Sequence, residues 1–133
     1  MGNSPNTDVL CSNAEGTKFT QIQVKTFRPG DNRCSLCLKA EMPYGRNFFW
    51  VLAGIPNPEQ KSPFVYYIIP SSEMEKNIKE SLQIWVKKSG KHGNAHNREN
   101  KIRTVAIPPN KDLNGWDISP YENKWGLIEE KLK

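Results

Sequence analysis

Cysteine is scarce in this chain, and its number is odd. Three cysteines among 133 residues cannot all pair within one chain, which excludes a scaffold built on disulfides and favours a reducing cytoplasm. No apolar run approaches the roughly 18 residues that a membrane-spanning helix needs, and no basic-plus-apolar leader opens the sequence. We therefore expect a cytoplasmic protein without a membrane partner.

The length and the composition fit one domain that spans residues 1–133. A hydrophobic content of 36%, with four tryptophans, four tyrosines and five phenylalanines, supplies enough apolar surface for a modest core. The sequence contains neither an internal repeat nor a low-complexity tract, so nothing divides the chain into smaller units.

The positive charge is unevenly spread along the chain. The formal net charge is +5, and residues 89–111 contribute four of those charges. Within this range, the polar stretch at 89–100, SGKHGNAHNREN, has no hydrophobic periodicity and is typical of a long loop. A loop that contacts phosphates and a loop that is merely solvated are both consistent with this pattern.

The apolar pattern predicts one mixed α/β domain, with the element order strand, strand, strand, strand, helix, strand, helix. A continuous apolar run, FFWVLAGI, is typical of a strand that is buried on both faces. The predicted strands cover Asp8–Asn13, Phe19–Phe27, Phe48–Ile55, Phe64–Ile69 and Ile102–Ile107, with a further short strand within Arg33–Glu41.

Two helix starts are predicted from capping boxes, in which Ser and Glu three residues apart cap each other's backbone N–H groups. The first box is Ser72–Glu75, and whether its helix continues to residue 88 stays open because Ile84–Val86 also fits a short strand. The second box is Ser119–Glu122. Its helix carries an apolar stripe of Tyr121, Trp125, Ile128 and Leu132.

The first two strands predict a hairpin whose register follows from its turn. If the turn centres on Glu15–Gly16, Asp8 lies opposite Gln23. Directly opposed residues of an antiparallel pair point to the same face, and so do residues two apart along one strand, which adds Lys25. We therefore expect a carboxylate, an amide and an ammonium in one small cluster, which a slip of one residue would destroy.

Such a cluster suits metal-dependent chemistry on phosphodiesters. Mg²⁺ or Mn²⁺ takes hard oxygen ligands, which Asp8, the Gln23 amide oxygen and a nearby backbone carbonyl can supply. A metal held there can polarise a phosphodiester and lower the pKa of a bound water, while Lys25 positions that water or stabilises charge on the phosphate. The residues alone are equally consistent with ordinary surface side chains.

Asp8 followed by the strand Ile22–Thr26 (IQVKT) resembles the PD-(D/E)XK, or restriction-endonuclease-like, superfamily. The chain is similar to uncharacterised bacterial members with an IQVKT strand, and the resemblance extends from Asn6 to Leu132. The later segments that share it are FFWV (Phe48–Val51), YYIIPS (Tyr66–Ser71) and a Tyr-x-x-x-Trp pattern (Tyr121, Trp125).

The resemblance implies a restriction-endonuclease-like α/β core, with a mixed central sheet flanked by helices, and metal-dependent cleavage of DNA. By that pattern Asp8 is the first metal ligand, and Gln23 occupies the second acidic position. The Val24 carbonyl is the backbone ligand, Lys25 is the catalytic lysine, and the implied cofactor is Mg²⁺ or Mn²⁺.

Two features depart from the family pattern. Gln23 stands where the family has Asp or Glu, which removes a negative charge and weakens metal binding. Only seven residues precede Asp8, so the family's first helix is expected to be missing and one sheet face to be open, where a second copy of the chain can bind. The alternative function is therefore a non-catalytic module for DNA binding, protein interaction or oligomerisation.

Cysteine, histidine and basic side chains suggest two further kinds of site. Cys34 and Cys37 form a lone CxxC, and His92 and His96 lie four apart, which is a weak zinc pattern; small semi-buried cysteines are the alternative. Basic residues that flank the predicted site can contact phosphates or simply aid solubility. They are Arg28, Arg33, Lys39 and Arg46.

Overall fold

The structure, a computed structural model, describes residues 7–88 and 102–133. Its elements in chain order are β1 (Val9–Ser12), β2 (Phe19–Phe27), β3 (Arg33–Cys37), β4 (Phe48–Gly54), β5 (Val65–Pro70), α1 (Ser71–Lys87), β6 (Ile102–Ala106) and α2 (Gly126–Leu132), with short 3-10 helices at Leu38–Glu41 and Ser119–Tyr121. The predicted loop at 89–100 and the expected absence of a helix before β1 both concern residues outside the described ones.

A mixed four-stranded sheet forms the centre of the fold, with the strand order β1-β2-β4-β5. β2 pairs with β4 in parallel, whereas β1–β2 and β4–β5 are antiparallel. β3 and β6 form a separate antiparallel ribbon. The predicted α/β class and mixed sheet are therefore confirmed. No helix in the described residues is long and apolar enough to cross a membrane.

β4 is the central strand of the core, and every one of its residues is buried, as predicted. Its side chains alternate between two hydrophobic clusters because successive strand residues point to opposite faces. Phe48, Trp50 and Leu52 join the cluster beneath α1 and the β3–β6 ribbon. Phe49 and Val51 join the cluster beneath α2.

Both faces of the central sheet thus carry a packed layer, so the expected open face is confined to its β1 end. There Val9, Leu10 and Phe19 expose 44%, 61% and 45% of their surface. Leu10 and Phe19 lie on the face of the sheet that carries Asp8 and Gln23, whereas Val9 lies on the opposite face, because successive strand residues alternate. A second copy of the chain remains a proposal for this end of the sheet.

The first helix begins two residues earlier than the capping box predicts, and that box is not formed. α1 starts at Ser71 after Pro70 in the N-cap position, and no side chain caps it. Glu75 instead forms an ion pair with Lys79, one turn further along the helix, with 2.9 Å between Lys79 Nζ and Glu75 Oε1. The strand β5 runs directly into the helix, and its extended Pro70 fixes the start. Ile84–Val86 is helical, which settles the alternative left open by the sequence.

The second capping box is also wrong, because tertiary contacts interrupt the predicted helix. Ser119–Tyr121 forms one 3-10 turn, after which Glu122 makes a β-bridge to Tyr67. Asn123 then adopts a positive φ of 54° and donates its backbone N–H to the Tyr66 carbonyl at 2.8 Å. The α-helix begins only after this contact with β5.

Gly54 is required by the aromatic ring beside it, so Gly54→Ala should destabilise the fold. A Cβ at Gly54 would lie 2.8 Å and 2.9 Å from two ring carbons of Phe27, which is buried in the core. We expect a loss of about 1–3 kcal/mol in the free energy of unfolding, measured by thermal or urea denaturation. Gly126→Ala is the matched control, because no atom lies within 4 Å of its added Cβ. Equal stability of the two variants would contradict the steric argument.

Candidate functional site

The hairpin has the register that the sequence predicts. Val9 pairs with Ile22 and Ser12 pairs with Phe19, so that the next position outward sets Asp8 opposite Gln23. The Asp8 backbone N–H also donates to the Ile22 carbonyl at 2.9 Å, which holds Asp8 against β2. The expected juxtaposition of Asp8 and Gln23 is therefore present.

The carboxylate of Asp8 contacts two groups of β2. Its Oδ2 accepts hydrogen bonds from Gln23 Nε2 at 2.8 Å and from the Val24 backbone N–H at 2.8 Å. The N–H and C=O of one strand residue project to the same side of the strand, so the Val24 carbonyl also faces the β1 side. Asp8, Gln23 and the Val24 backbone thus gather at one end of β1.

Lys25 lies on the face of β2 that carries Gln23, but it does not touch Asp8. It is half-buried and pairs in register with Leu52 of β4. Within residues 7–88 and 102–133 no ion pair joins Lys25 to a carboxylate. The predicted trio is therefore a contacting pair with a lysine beside it.

The positive charge of Lys25 affects the pKa of a buried thiol on β3, that of Cys34. Burial raises the pKa of Cys34 to about 11; the Lys25 ammonium opposes this shift and the Asp31 carboxylate adds to it. A thiol with a raised pKa is a poor nucleophile and a poor metal ligand near neutral pH. Cys34 is therefore a packed side chain of the hydrophobic core, which is what the alternative to the zinc hypothesis predicts.

The CxxC pattern does not bring its two thiols together. Residues three apart on a strand point to opposite faces, and Cys34 is buried whereas Cys37 is half-buried. The described part of the chain has no group of three or more His, Cys, Asp or Glu side chains that can hold a metal. His92 and His96 lie outside the described residues.

The four basic residues predicted to contact phosphates have different surroundings. Arg33 is exposed but already bonded within the protein: its Nη2 donates to Asp112 Oδ1 at 2.5 Å and its Nε donates to Thr104 Oγ1 at 2.6 Å. The other three side chains are also exposed and remain candidates for phosphate contact. They are Arg28, Lys39 and Arg46.

The cavity of about 380 Å³ between α1 and β6 is separate from this hairpin site. Arg33 and Arg103 line it together with apolar side chains of α1. Each guanidinium already has a carboxylate partner, Asp112 for Arg33 and Glu41 for Arg103. These ion pairs neutralise the positive charge of the two arginines that line the cavity. None of the residues that line it belongs to the cluster of Asp8, Gln23 and Val24.

Sequence reasoning missed Trp50, which stands beside Gln23 in the parallel β2–β4 register. Gln23 Oε1 and Trp50 Nε1 are both buried and have no hydrogen-bond partner. No local signal could have found this pair, because the two strands are joined by a crossover through β3. The ion pair of Arg33 with the buried Asp112 was missed for a similar reason.

The residues present fit a weakly held Mg²⁺ or Mn²⁺ rather than a strong site. Asp8 is the only carboxylate in contact with Gln23 and Val24 among the described residues, and Val24 adds a neutral backbone oxygen. Gln23 presents its nitrogen to Asp8, so its oxygen becomes a ligand only if the amide reverses. Low ligand charge gives low affinity for such hard cations.

Comparison of the chain with protein-family models, with curated proteins and with solved structures found no match.

Proposed function

We propose that this protein has a restriction-endonuclease-like core and is a metal-dependent nuclease-like protein that acts on DNA phosphodiesters with weakened activity. The observation that carries the proposal is the contact of the Asp8 carboxylate with Gln23 and Val24 at 2.8 Å. Lys25 lies two residues further along the same face of β2. The mixed sheet and the net charge of +5 are consistent with it.

Each residue of the cluster has a separate role in this proposal. Asp8 and the Val24 carbonyl would hold Mg²⁺ or Mn²⁺, and the chemistry such an ion would supply is polarisation of the phosphodiester and a lowered pKa of a water. Lys25 brings a positive charge toward the phosphate as negative charge develops on it. Gln23 holds Asp8 through its amide N–H when no cation is bound and would offer its amide oxygen to the cation after the amide reverses. Its lack of charge accounts for the weakened activity.

A cleavage assay on DNA with Mg²⁺ or Mn²⁺ tests this function. The wild-type protein should cleave, chelation of the metal should stop cleavage, and Lys25→Ala should lose it because the charge beside the phosphate is gone. Lys18→Ala is the matched control, since Lys18 is exposed just before β2 and lies outside the cluster. Equal cleavage by wild type and Lys25→Ala, or none by wild type, would overturn the proposal.

A non-catalytic DNA-binding or protein-interaction module is the second candidate. Two observations favour it: Asp8 Oδ2 already accepts two hydrogen bonds from β2, and Leu10 and Phe19 expose apolar surface on the same face of the sheet. DNA affinity should then fall steeply with salt and be unchanged in Asp8→Ala. Sedimentation would show whether the apolar end joins two copies. Loss of DNA binding on metal removal would argue for the nuclease instead.

A further inference from the structure

Two buried polar atoms without a partner belong to residues that are register partners on neighbouring strands of the sheet. Gln23 is 8% exposed and Trp50 is fully buried, and neither Gln23 Oε1 nor Trp50 Nε1 has a hydrogen-bond partner. Buried polar atoms in native proteins are almost always paired with protein or with ordered water. One is an acceptor and the other is a donor, so they are chemically complementary.

The sheet topology indicates where the two atoms point. β2 lies between β1 and β4, and Gln23 turns its Nε2 toward Asp8 on the β1 side. The amide oxygen is therefore turned away from β1, toward the side on which β4 lies. There Trp50 is the register partner of Gln23, with its side chain on the same face because paired residues of neighbouring strands share a face.

We propose that one buried water molecule joins Trp50 to Gln23, accepting from the indole N–H and donating to Gln23 Oε1. A buried water of this kind is usual where buried polar groups remain unsatisfied. It would leave the Gln23 amide fixed at both ends, by Asp8 on one side and by the water on the other. Trp50 is then a positioning residue for the Asp8–Gln23 pair.

This arrangement controls cation binding at the same site, a step that rests on the proposed function. An amide oxygen opposite the Asp8 carboxylate would set two acceptors face to face, so the nitrogen faces Asp8. A cation beside Asp8 requires the opposite orientation, with Gln23 Oε1 outward. In that orientation the water's hydrogens lose the amide oxygen. Because a buried water needs at least two polar partners, Trp50 holds the water in place and so favours the orientation that keeps Oε1 away from the cation. Trp50 therefore lowers the affinity of the site for a cation.

Replacing Trp50 by phenylalanine tests the control of cation binding. Trp50→Phe keeps an aromatic ring and removes the donor, so Mn²⁺ should bind about two- to tenfold more tightly, which is the worth of one hydrogen bond. Calorimetry, or broadening of the Val24 amide signal by Mn²⁺, measures the affinity. Phe48→Leu is the control, because Phe48 packs against Trp50 without a donor and should leave the affinity unchanged. Unchanged or weaker binding by Trp50→Phe overturns the positioning role.

A crystal structure of the wild-type protein tests the water itself, independently of any variant. We expect one water within hydrogen-bond distance of both Trp50 Nε1 and Gln23 Oε1. A direct bond between the two atoms, or a gap without water, overturns the proposal even if Trp50→Phe fails to fold. If wild type and Gln23→Glu both fail to bind Mn²⁺, the proposed function fails, and the crystal structure alone then decides whether the water is present.

Discussion

Gln23→Glu is expected to bind Mn²⁺ at least tenfold more tightly than the wild-type chain, a gain of about 1.4 kcal/mol. The variant adds a second carboxylate opposite Asp8, at the position whose amide now contacts Asp8 Oδ2 at 2.8 Å. Affinity for hard divalent cations rises with the number of charged ligands. Calorimetric titration of both proteins under the same buffer conditions measures the difference.

The same substitution should destabilise the protein when no cation is present. It replaces a hydrogen bond to Asp8 by the approach of two carboxylates, one of them at a position only 8% exposed. We expect a loss of about 1–3 kcal/mol at pH 8, which Mn²⁺ restores.

The pH dependence of this loss has a definite sign. Burial and a neighbouring carboxylate raise the pKa of a carboxyl group above its unfolded value, so the folded variant takes up protons as the pH falls. The deficit should therefore be largest at pH 8 and shrink toward pH 5. Gln21→Glu is the matched control, because Gln21 is exposed and two residues earlier on the same face of β2. An equal response of the two variants would contradict a pairing with Asp8.

Asp112→Ala should have the largest effect on stability, a loss of about 2–4 kcal/mol. The Asp112 side chain is 1% exposed and accepts from Arg33 Nη2 at 2.5 Å and from the buried Ala106 backbone N–H at 3.2 Å. Its removal leaves that N–H unpaired. Arg33 is 41% exposed, so water can solvate its charge and the loss stays below that of a fully buried pair.

Urea denaturation measures the loss, and an exposed ion pair supplies the control. Glu130 and Lys133 form an ion pair at 2.8 Å, with side chains 69% and 72% exposed, so Glu130→Ala should leave the stability nearly unchanged. Asp112→Asn keeps an acceptor for the Ala106 N–H and should fall between the two. If Asp112→Ala were as stable as Glu130→Ala, the buried contacts would not contribute as argued.

The hairpin register could be predicted because everything that fixes it is local. Asn13 accepts from the backbone N–H groups of Thr17 and Lys18 through its side chain, and Gly16 takes the positive φ of 70° that the turn needs. The strands then alternate outward from this turn without interruption. Asp8 and Gln23 therefore meet as a result of a short stretch of sequence.

The contacts that join distant segments could not be predicted in this way. The parallel pairing of β2 with β4, which brings Trp50 beside Gln23, depends on a crossover whose length does not encode a register. Arg33 and Asp112 are 79 residues apart, and no local signal predicts that they pair. Both capping boxes failed because β5, which precedes one helix and contacts the start of the other, outweighed the local preference.

The segment that interrupts the last helix also closes one edge of the central sheet. Glu122 forms a β-bridge with Tyr67, and the Asn123 backbone N–H donates a hydrogen bond to the Tyr66 carbonyl at 2.8 Å. Both contacts lie on the side of β5 that faces away from β4. Unpaired edge strands invite strand addition from other chains and lead to aggregation. Because these backbone groups are already paired, intermolecular β-pairing at this part of β5 requires residues 122–123 to detach first.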